Sequence, residues 1–81
     1  MNINEQVKNI LQELSGVHII ENNSRLQEDL GLDSLLMVML LIEIEEKFGI
    51  QLDESDMNPF SLDTVQSVVN MVGNYKGEGN E

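Results

Sequence analysis

A chain of 81 residues, 41% of them hydrophobic, is long enough for one modest core and too short for a second domain. Fifteen acidic against four basic residues give a net charge of −11, which repels phosphate backbones and anionic lipid. This charge makes nucleic acids and membrane surfaces poor partners and favours proteins with basic docking patches. Only 4% of the residues are aromatic, which also leaves no platform for stacking nucleic-acid bases. The absence of cysteine excludes disulfides and thiolate metal sites.

The first predicted element is an amphipathic helix near the start of the chain. Its apolar residues recur at helical spacing, with polar residues on the other side: Ile3, Val7, Ile10, Leu11 and Leu14. Ser15 and Gly16 favour a stop directly after it. This segment lacks the basic and apolar regions of a signal peptide, so we expect a cytoplasmic protein.

Residues 17–33 show no helical period and predict a long connection, which is unusual in a compact domain unless it is functional. Its apolar side chains can pin it across the core: Ile19, Ile20, Leu26, Leu30 and Leu32. A short strand at residues 18–20 is the alternative, without an obvious pairing partner. Gly31 permits a tight backbone just before the next element.

The second helix is predicted from about Ser34 to Phe48, with Gly49 as its left-handed terminator. Its apolar run, residues 35–42, has eight residues and is far too short to span a membrane. Helical spacing places five apolar residues on the buried face of this helix: Met37, Leu40, Leu41, Ile44 and Phe48. The outer face then receives a second apolar set, with Val38 near the boundary: Leu35, Leu36, Met39 and Ile42.

A helix that is apolar on all sides exceeds what a domain of this size can bury. We therefore expect an exposed apolar patch beside Ser34, of the kind that marks a protein–protein contact. The alternative is that the long loop folds over part of this face, with Leu32 reaching it.

The rest of the chain predicts a short helical turn, a last helix and a tail. Asp53 can cap a helical turn through Met57, which Pro59 interrupts. The pair Asp63 and Gln66 has the spacing of a capping box for a last helix. The apolar face of that helix is Val65, Val68, Val69 and Val72. We expect residues 77–81 to form a flexible tail. The predicted fold is a small all-α bundle of either hand, with three main helices and one short helix.

Ser34 lies at the mouth of the second helix, with no activating base nearby in sequence. A serine that attacks needs a histidine or lysine within reach, and the one histidine, His18, belongs to another segment. We therefore predict no catalytic residue and expect Ser34 to be modified by another protein. A helix N-terminus favours an anion such as a phosphodiester. The alternative is that Ser34 or Asp33 is an ordinary N-cap.

The acidic segments do not fit a calcium loop. An EF-hand needs oxygen ligands at positions 1, 3 and 5, glycine at position 6 and glutamate at position 12. Loops started at Asp29 or Asp53 fail at these positions. We predict no metal site and, since so small a helical domain offers no obvious deep cleft, no enzyme.

The order of these elements resembles the acyl carrier protein family. The matching residues are Asp29-Leu30-Gly31-Leu32-Asp33-Ser34-Leu35, the apolar helix that follows, and an acidic segment ending in Phe48-Gly49. The resemblance covers nearly the whole chain and implies a carrier domain over residues 1–76. It also implies that a phosphopantetheinyl transferase moves a 4′-phosphopantetheine arm from coenzyme A onto Ser34. The arm's thiol would hold acyl or aminoacyl groups as thioesters for partner enzymes.

The resemblance implies recognition residues as well. Asp33 and Leu35 would help the transferase recognise the site. Leu36 and Met39 would help loading ligases or synthases dock. The outer face adds Ile42, and the acidic far end of the helix adds Glu43 and Glu46, so we expect a monomer that binds partners with basic and apolar patches.

Carriers of bacterial fatty acid synthesis usually have acids at the positions that match Leu36 and Met39. Apolar residues there resemble D-alanyl carriers and the discrete carriers of polyketide or peptide assembly. We therefore predict a carrier of a specialised pathway of one of these types. The alternatives are a carrier of fatty acid synthesis and a helical protein-interaction module that carries no group and whose serine only caps the helix.

If this assignment of the outer face is correct, Leu36→Asp and Met39→Glu should each weaken loading by the partner enzyme without unfolding the chain. A charge would replace an apolar docking contact in both variants. Loading assays and thermal melts measure the two effects. A large drop in melting temperature for both variants would place these residues in the core instead.

Overall fold

The computed structural model describes residues 2–77, and its elements there are helical. Three α-helices form a bundle: α1 (Ile3–Ser15), α2 (Ser34–Phe48) and α3 (Val65–Lys76). Two short 3-10 helices, Glu54–Met57 and Pro59–Ser61, lie between α2 and α3. The predicted all-α architecture with a long loop between the first two helices is confirmed. The predicted tail lies outside the described residues except for Gly77, which ends α3.

Helix α1 begins and ends where the sequence indicates. The side chain of Asn2 accepts the N–H of Glu5 at 2.8 Å, and Gly16 ends the helix in the left-handed region. The predicted inward residues are buried, with Leu14 partly buried at the edge of the core: Ile3, Val7, Ile10 and Leu11.

Helix α2 supplies the centre of the core. Its predicted inward face is buried throughout: Met37, Leu40, Leu41, Ile44 and Phe48. This face packs against α1 and against the second 3-10 helix. The core is mostly aliphatic, with Phe48 as its aromatic member, and no polar or charged side chain between residues 2 and 77 is buried. Full burial of one large apolar side chain stabilises the folded state by about 1.5–3 kcal/mol, so the five buried residues of this face account for much of the fold's stability.

The inward face of α3 differs from the prediction at one position. Val65, Val68 and Val72 are buried as expected, whereas Val69 is only half-buried. Met71 is 8% exposed and joins the core in addition. None of the helices in the described range is long and apolar enough to cross a membrane.

The long loop is pinned to the core by four of the five predicted side chains: Ile20, Leu26, Leu30 and Leu32. The prediction for Ile19 is wrong, because its side chain is 81% exposed while the next residue, Ile20, takes the inward position. The alternative of a strand at residues 18–20 is also wrong, since those residues form neither a strand nor a bridge.

The loop also forms backbone hydrogen bonds with the start of α3. The N–H groups of Val65 and Gln66 donate to the carbonyls of Ser24 and Asn22 at 3.0 and 2.8 Å. These are the first two amides of the helix, which have no partner within it. The side chain of Asn22 adds hydrogen bonds to Asn4 at 2.9 Å and to Gln66 at 2.8 Å. The loop therefore caps α3 while α3 holds the loop.

The predicted capping box of α3 is wrong by one residue. Thr64 is the N-cap: its hydroxyl accepts the N–H of Ser67 at 3.2 Å, and the Ser67 hydroxyl accepts the N–H of Thr64 at 3.1 Å. Asp63 lies outside the helix because its carbonyl accepts the N–H of Leu26 at 2.9 Å. A long-range contact has displaced the locally predicted cap.

The segment between α2 and α3 also departs from the prediction. It holds two 3-10 helices, the second of which starts at Pro59, and the side chain of Asp53 makes no capping bond. Instead the N–H of Asp53 donates to the Tyr75 hydroxyl at 2.8 Å, and that hydroxyl donates to the Asp56 carboxylate. The hydrogen bond to Asp56 raises the pKa of Tyr75 above its ordinary value. Tyr75 thus fastens the first 3-10 helix to α3.

We expect Thr64→Ala to lower the free energy of unfolding by about 1 kcal/mol, because it removes the hydroxyl that caps α3. Urea denaturation followed by circular dichroism measures this change. Asp63→Ala is the matched control, since its side chain occupies the predicted but unused cap position, and it should cost less. A larger loss for Asp63→Ala than for Thr64→Ala would contradict the cap assignment.

Candidate functional site

A tight turn leads the long loop into α2. The Asp29 carboxylate accepts the N–H of Arg25 at 2.8 Å, and the Arg25 carbonyl accepts the N–H groups of Asp29 and Leu30 at 2.9 and 3.0 Å. Gly31 follows with a φ of 70°, a conformation that residues with a Cβ rarely adopt. Leu30 and Leu32, on either side of it, are both buried. The turn is therefore anchored on both sides of the glycine.

The side chains around this turn were not among the predicted site residues. The Arg25 guanidinium forms an ion pair with Glu28, and the hydrogen bond in that pair raises the pKa of Arg25. The N–H of Leu32 donates to the Leu26 carbonyl at 3.0 Å, which closes the turn. The sequence signal for this structure was the aspartate four residues after Arg25, in a segment that was predicted only as a connection.

Asp33 is the N-cap of α2. Its carboxylate accepts the N–H of Leu36 at 2.9 Å, and its carbonyl accepts the N–H of Met37 at 2.9 Å. Ser34 is the first helical residue, and its side chain is exposed. Within residues 2–77 the Ser34 hydroxyl has no hydrogen-bond partner. Of the two candidate caps, Asp33 takes the role and leaves the serine oxygen free.

This arrangement fits a covalently attached phosphodiester. The hydroxyl of Ser34 is accessible, and the positive end of the α2 macrodipole lies at that point. The Asp33 carboxylate is the nearest negative group in sequence, but it is already bound to a backbone amide and exposed to screening solvent. Among the described residues no base is hydrogen-bonded to the hydroxyl, so the arrangement suits a residue that accepts a group more than one that attacks a substrate.

Four apolar side chains remain exposed on α2 and are called here the outer face: Leu35 (67%), Val38 (39%), Met39 (40%) and Ile42 (45%). The long loop does not cover them, so the alternative in which it folds over this face is wrong. Leu32, which was the candidate for covering it, is only 2% exposed and belongs to the core.

The prediction for Leu36 is wrong in part. Leu36 was assigned to the outer face, but its side chain is half-buried and packs against the core. It lies one helical turn before Leu40, which is fully buried, so its Cβ points toward the inward side. Val38, which was predicted near the boundary between the two faces of the helix, is exposed and replaces Leu36 on the outer face.

The far end of α2 is acidic. Glu46 is exposed and continues the row that runs through Leu35, Met39 and Ile42 at helical spacing, while Glu43 is half-buried beside it. Glu45 has a different role, because its carboxylate accepts the N–H of Leu52 at 2.9 Å and so holds the chain after the helix.

One exposed residue near α2 was missed. Phe60 is 65% exposed in the second 3-10 helix, which packs against α2. Its N–H donates to the Asn58 side chain at 3.0 Å, which fixes the turn that presents the ring. The signal that could have found it was a phenylalanine in a short Asn-Pro turn, where no helical face could bury it.

Comparison with known proteins identifies the family of this chain. A family model described as "Phosphopantetheine attachment site" matches residues 5–72, most of the chain. The chain belongs to this carrier family. It is 40% identical over 74 residues to a D-alanyl carrier protein of Enterococcus faecalis, covering 89% of this chain and 95% of that protein. It is also 32% identical over 80 residues to an acyl carrier protein of Solidesulfovibrio magneticus, covering 96% of this chain and 100% of that protein.

Family membership confirms the resemblance seen in the sequence, the carrier function and the covalently attached 4′-phosphopantetheine. When attached, this group supplies a terminal thiol on which an intermediate is held as a thioester. Carrier proteins of this family act together with a phosphopantetheinyl transferase and with ligases or synthases.

The corrected position of Leu36 changes the expectation for its substitution. Leu36→Asp should lower the free energy of unfolding by about 1–3 kcal/mol, because it places a charge in a half-buried apolar site. Leu35→Asp, the matched neighbour on the outer face, should change it by less than about 0.5 kcal/mol. Urea unfolding of both variants measures the difference. Equal losses would contradict the separation of the two leucines into core and outer face.

Proposed function

We propose that Ser34 is the residue that carries the phosphopantetheine arm, and that the protein carries aminoacyl groups of the D-alanyl type. The observation that supports the site is the Ser34 hydroxyl, which is exposed, without a hydrogen-bond partner among the described residues, and placed at the first position of α2 behind the Asp33 cap.

The transfer needs little from the chain besides position. A bond forms between Ser34 Oγ and the phosphorus of the pantetheinyl phosphate, the pyrophosphate bond of coenzyme A breaks, and adenosine 3′,5′-bisphosphate leaves. The transferase supplies the base that takes the hydroxyl proton, since the chain holds none against Ser34 within residues 2–77. Asp33 keeps the start of α2 in place, and the adjacent Leu35 gives the transferase an exposed apolar contact. The protein itself then catalyses no reaction.

Partner enzymes dock along α2 from the serine outward. Leu35, Met39 and Ile42 offer apolar contact close to the arm, while Glu43 and Glu46 offer negative charge beyond it. A fitting partner has an apolar patch flanked by basic residues. The net charge of −11 accelerates encounter with such a partner and makes it sensitive to salt. Leu36 contributes by supporting the helix from its half-buried position.

The cargo proposal rests on the D-alanyl carrier relative together with the apolar residue at Met39 and its neighbours on the outer face. A fatty acid carrier is the second candidate, supported by the acyl carrier relative, which this chain matches over that protein's whole length. For either cargo we propose a carrier domain over residues 1–76 that works as a monomer in the cytoplasm. The strong like charge opposes self-association.

Incubation with coenzyme A and a broad-specificity phosphopantetheinyl transferase should add the mass of one arm to the wild-type protein, measured by intact mass spectrometry. Ser34→Ala should remain unmodified. Ser55→Ala is the matched control, because Ser55 is also exposed near the start of a helix and also follows an acidic residue, and it should gain the arm normally. An arm on Ser34→Ala, or an unmodified wild type beside a modified control carrier, would overturn the site.

The protein carrying the arm then allows the cargo to be tested. A D-alanine–carrier ligase with ATP and D-alanine should add one D-alanyl group, and the same ligase with L-alanine is the stereochemical control. An acyl carrier ligase with short and long fatty acids gives the competing reaction. Loading by fatty acids alone would favour the second candidate.

A further inference from the structure

The methionine side chains of the described chain differ strongly in exposure. Met37 is 0% exposed and Met71 is 8% exposed, and Met57 is only partly exposed at the edge of the core. Met39 is 40% exposed. Among the methionines between residues 2 and 77, it therefore offers its thioether most openly to a dissolved oxidant.

Met39 also occupies the middle of the outer face. Leu35 lies one turn before it and Ile42 nearly one turn after it, and both are more exposed than Met39 itself. A change in the polarity of this one side chain therefore alters the centre of an apolar surface that begins next to Ser34.

We propose that Met39 is a site of reversible oxidation, and that its sulfoxide weakens docking of the phosphopantetheinyl transferase on the outer face. The docking part rests on the proposed function. A hydroperoxide transfers one oxygen atom to the thioether: the S–O bond forms, the O–O bond breaks, and water or an alcohol leaves. The sulfur loses two electrons and the peroxide gains them.

The physical effect is local. A sulfoxide oxygen is a strong hydrogen-bond acceptor, and a partner that covers it with apolar side chains removes its water without replacing the hydrogen bond. The free protein has no such cost, because Met39 remains partly in solvent and contributes little to the core. Met37, two residues earlier, gives the opposite case: its sulfoxide would have to be buried among aliphatic side chains.

The first test maps oxidation without any partner. The folded full-length protein is treated with hydrogen peroxide, quenched, digested and quantified peptide by peptide, so that each methionine, including Met1, is measured separately. Met39 should oxidise at least about tenfold faster than Met37, since susceptibility follows exposure. In guanidinium chloride the rates should become similar. A Met37 or Met71 rate equal to that of Met39 in the folded protein would overturn the site.

The second test measures docking through transfer of phosphopantetheine to Ser34. Protein oxidised at Met39 should show a kcat/KM for the transferase that is lower by about fivefold or more, consistent with burying an unpaired acceptor. Methionine sulfoxide reductases should restore it. The melting temperature should stay close to that of untreated protein, which separates lost docking from lost folding.

Met39→Leu is the matched variant, and each protein is compared with its own untreated rate. The ratio of treated to untreated kcat/KM should stay near one for Met39→Leu. Complete Met39 oxidation with an unchanged kcat/KM, or an equal loss in Met39→Leu, would overturn the docking effect. If untreated protein accepts no arm at Ser34, the proposed function and the docking effect fail together, whereas the peptide map still decides whether Met39 is the oxidised residue.

Discussion

At the start of α2 the Asp33 carboxylate accepts the N–H of Leu36 at 2.9 Å, so the capping role is filled one residue before Ser34. A serine that caps a helix commits its oxygen to a backbone amide. Here the serine follows the cap, and its oxygen remains exposed at the positive end of the helix. A residue that is to accept a covalent group needs both a fixed backbone and a free hydroxyl, and at Ser34 the hydrogen bond of the preceding aspartate is compatible with both.

The second constraint is the unusual composition of α2. The inward face of the helix is buried and supplies much of the core, yet Leu35, Met39 and Ile42 on the other side are apolar as well. Between residues 2 and 77 no other element covers that side. Stability therefore comes from one face of α2, while the opposite face stays available for contact with other proteins. The acidic residues at the far end of the helix keep this exposed apolar surface bordered by charge.

Features set by local sequence could be predicted, and features set by distant contacts could not. Periodicity and the following glycine located both ends of α2, because these signals act within a few residues. The cap of α3 was misplaced because the Asp63 carbonyl is bound by Leu26, far away in the chain. Hydropathy could not tell that Ile19 would face solvent or that Leu36 would turn inward, since it reports what a side chain prefers and not which neighbour takes the available space.

The first two amides of α3 donate to the carbonyls of Ser24 and Asn22, and the side chains of Asn22 and Gln66, 44 positions apart, are joined as well. The loop that leads to Ser34 is therefore held in part by α3. A segment cut out around Ser34 lacks these partners, so it does not contain all of the hydrogen bonds that hold the loop leading to the serine.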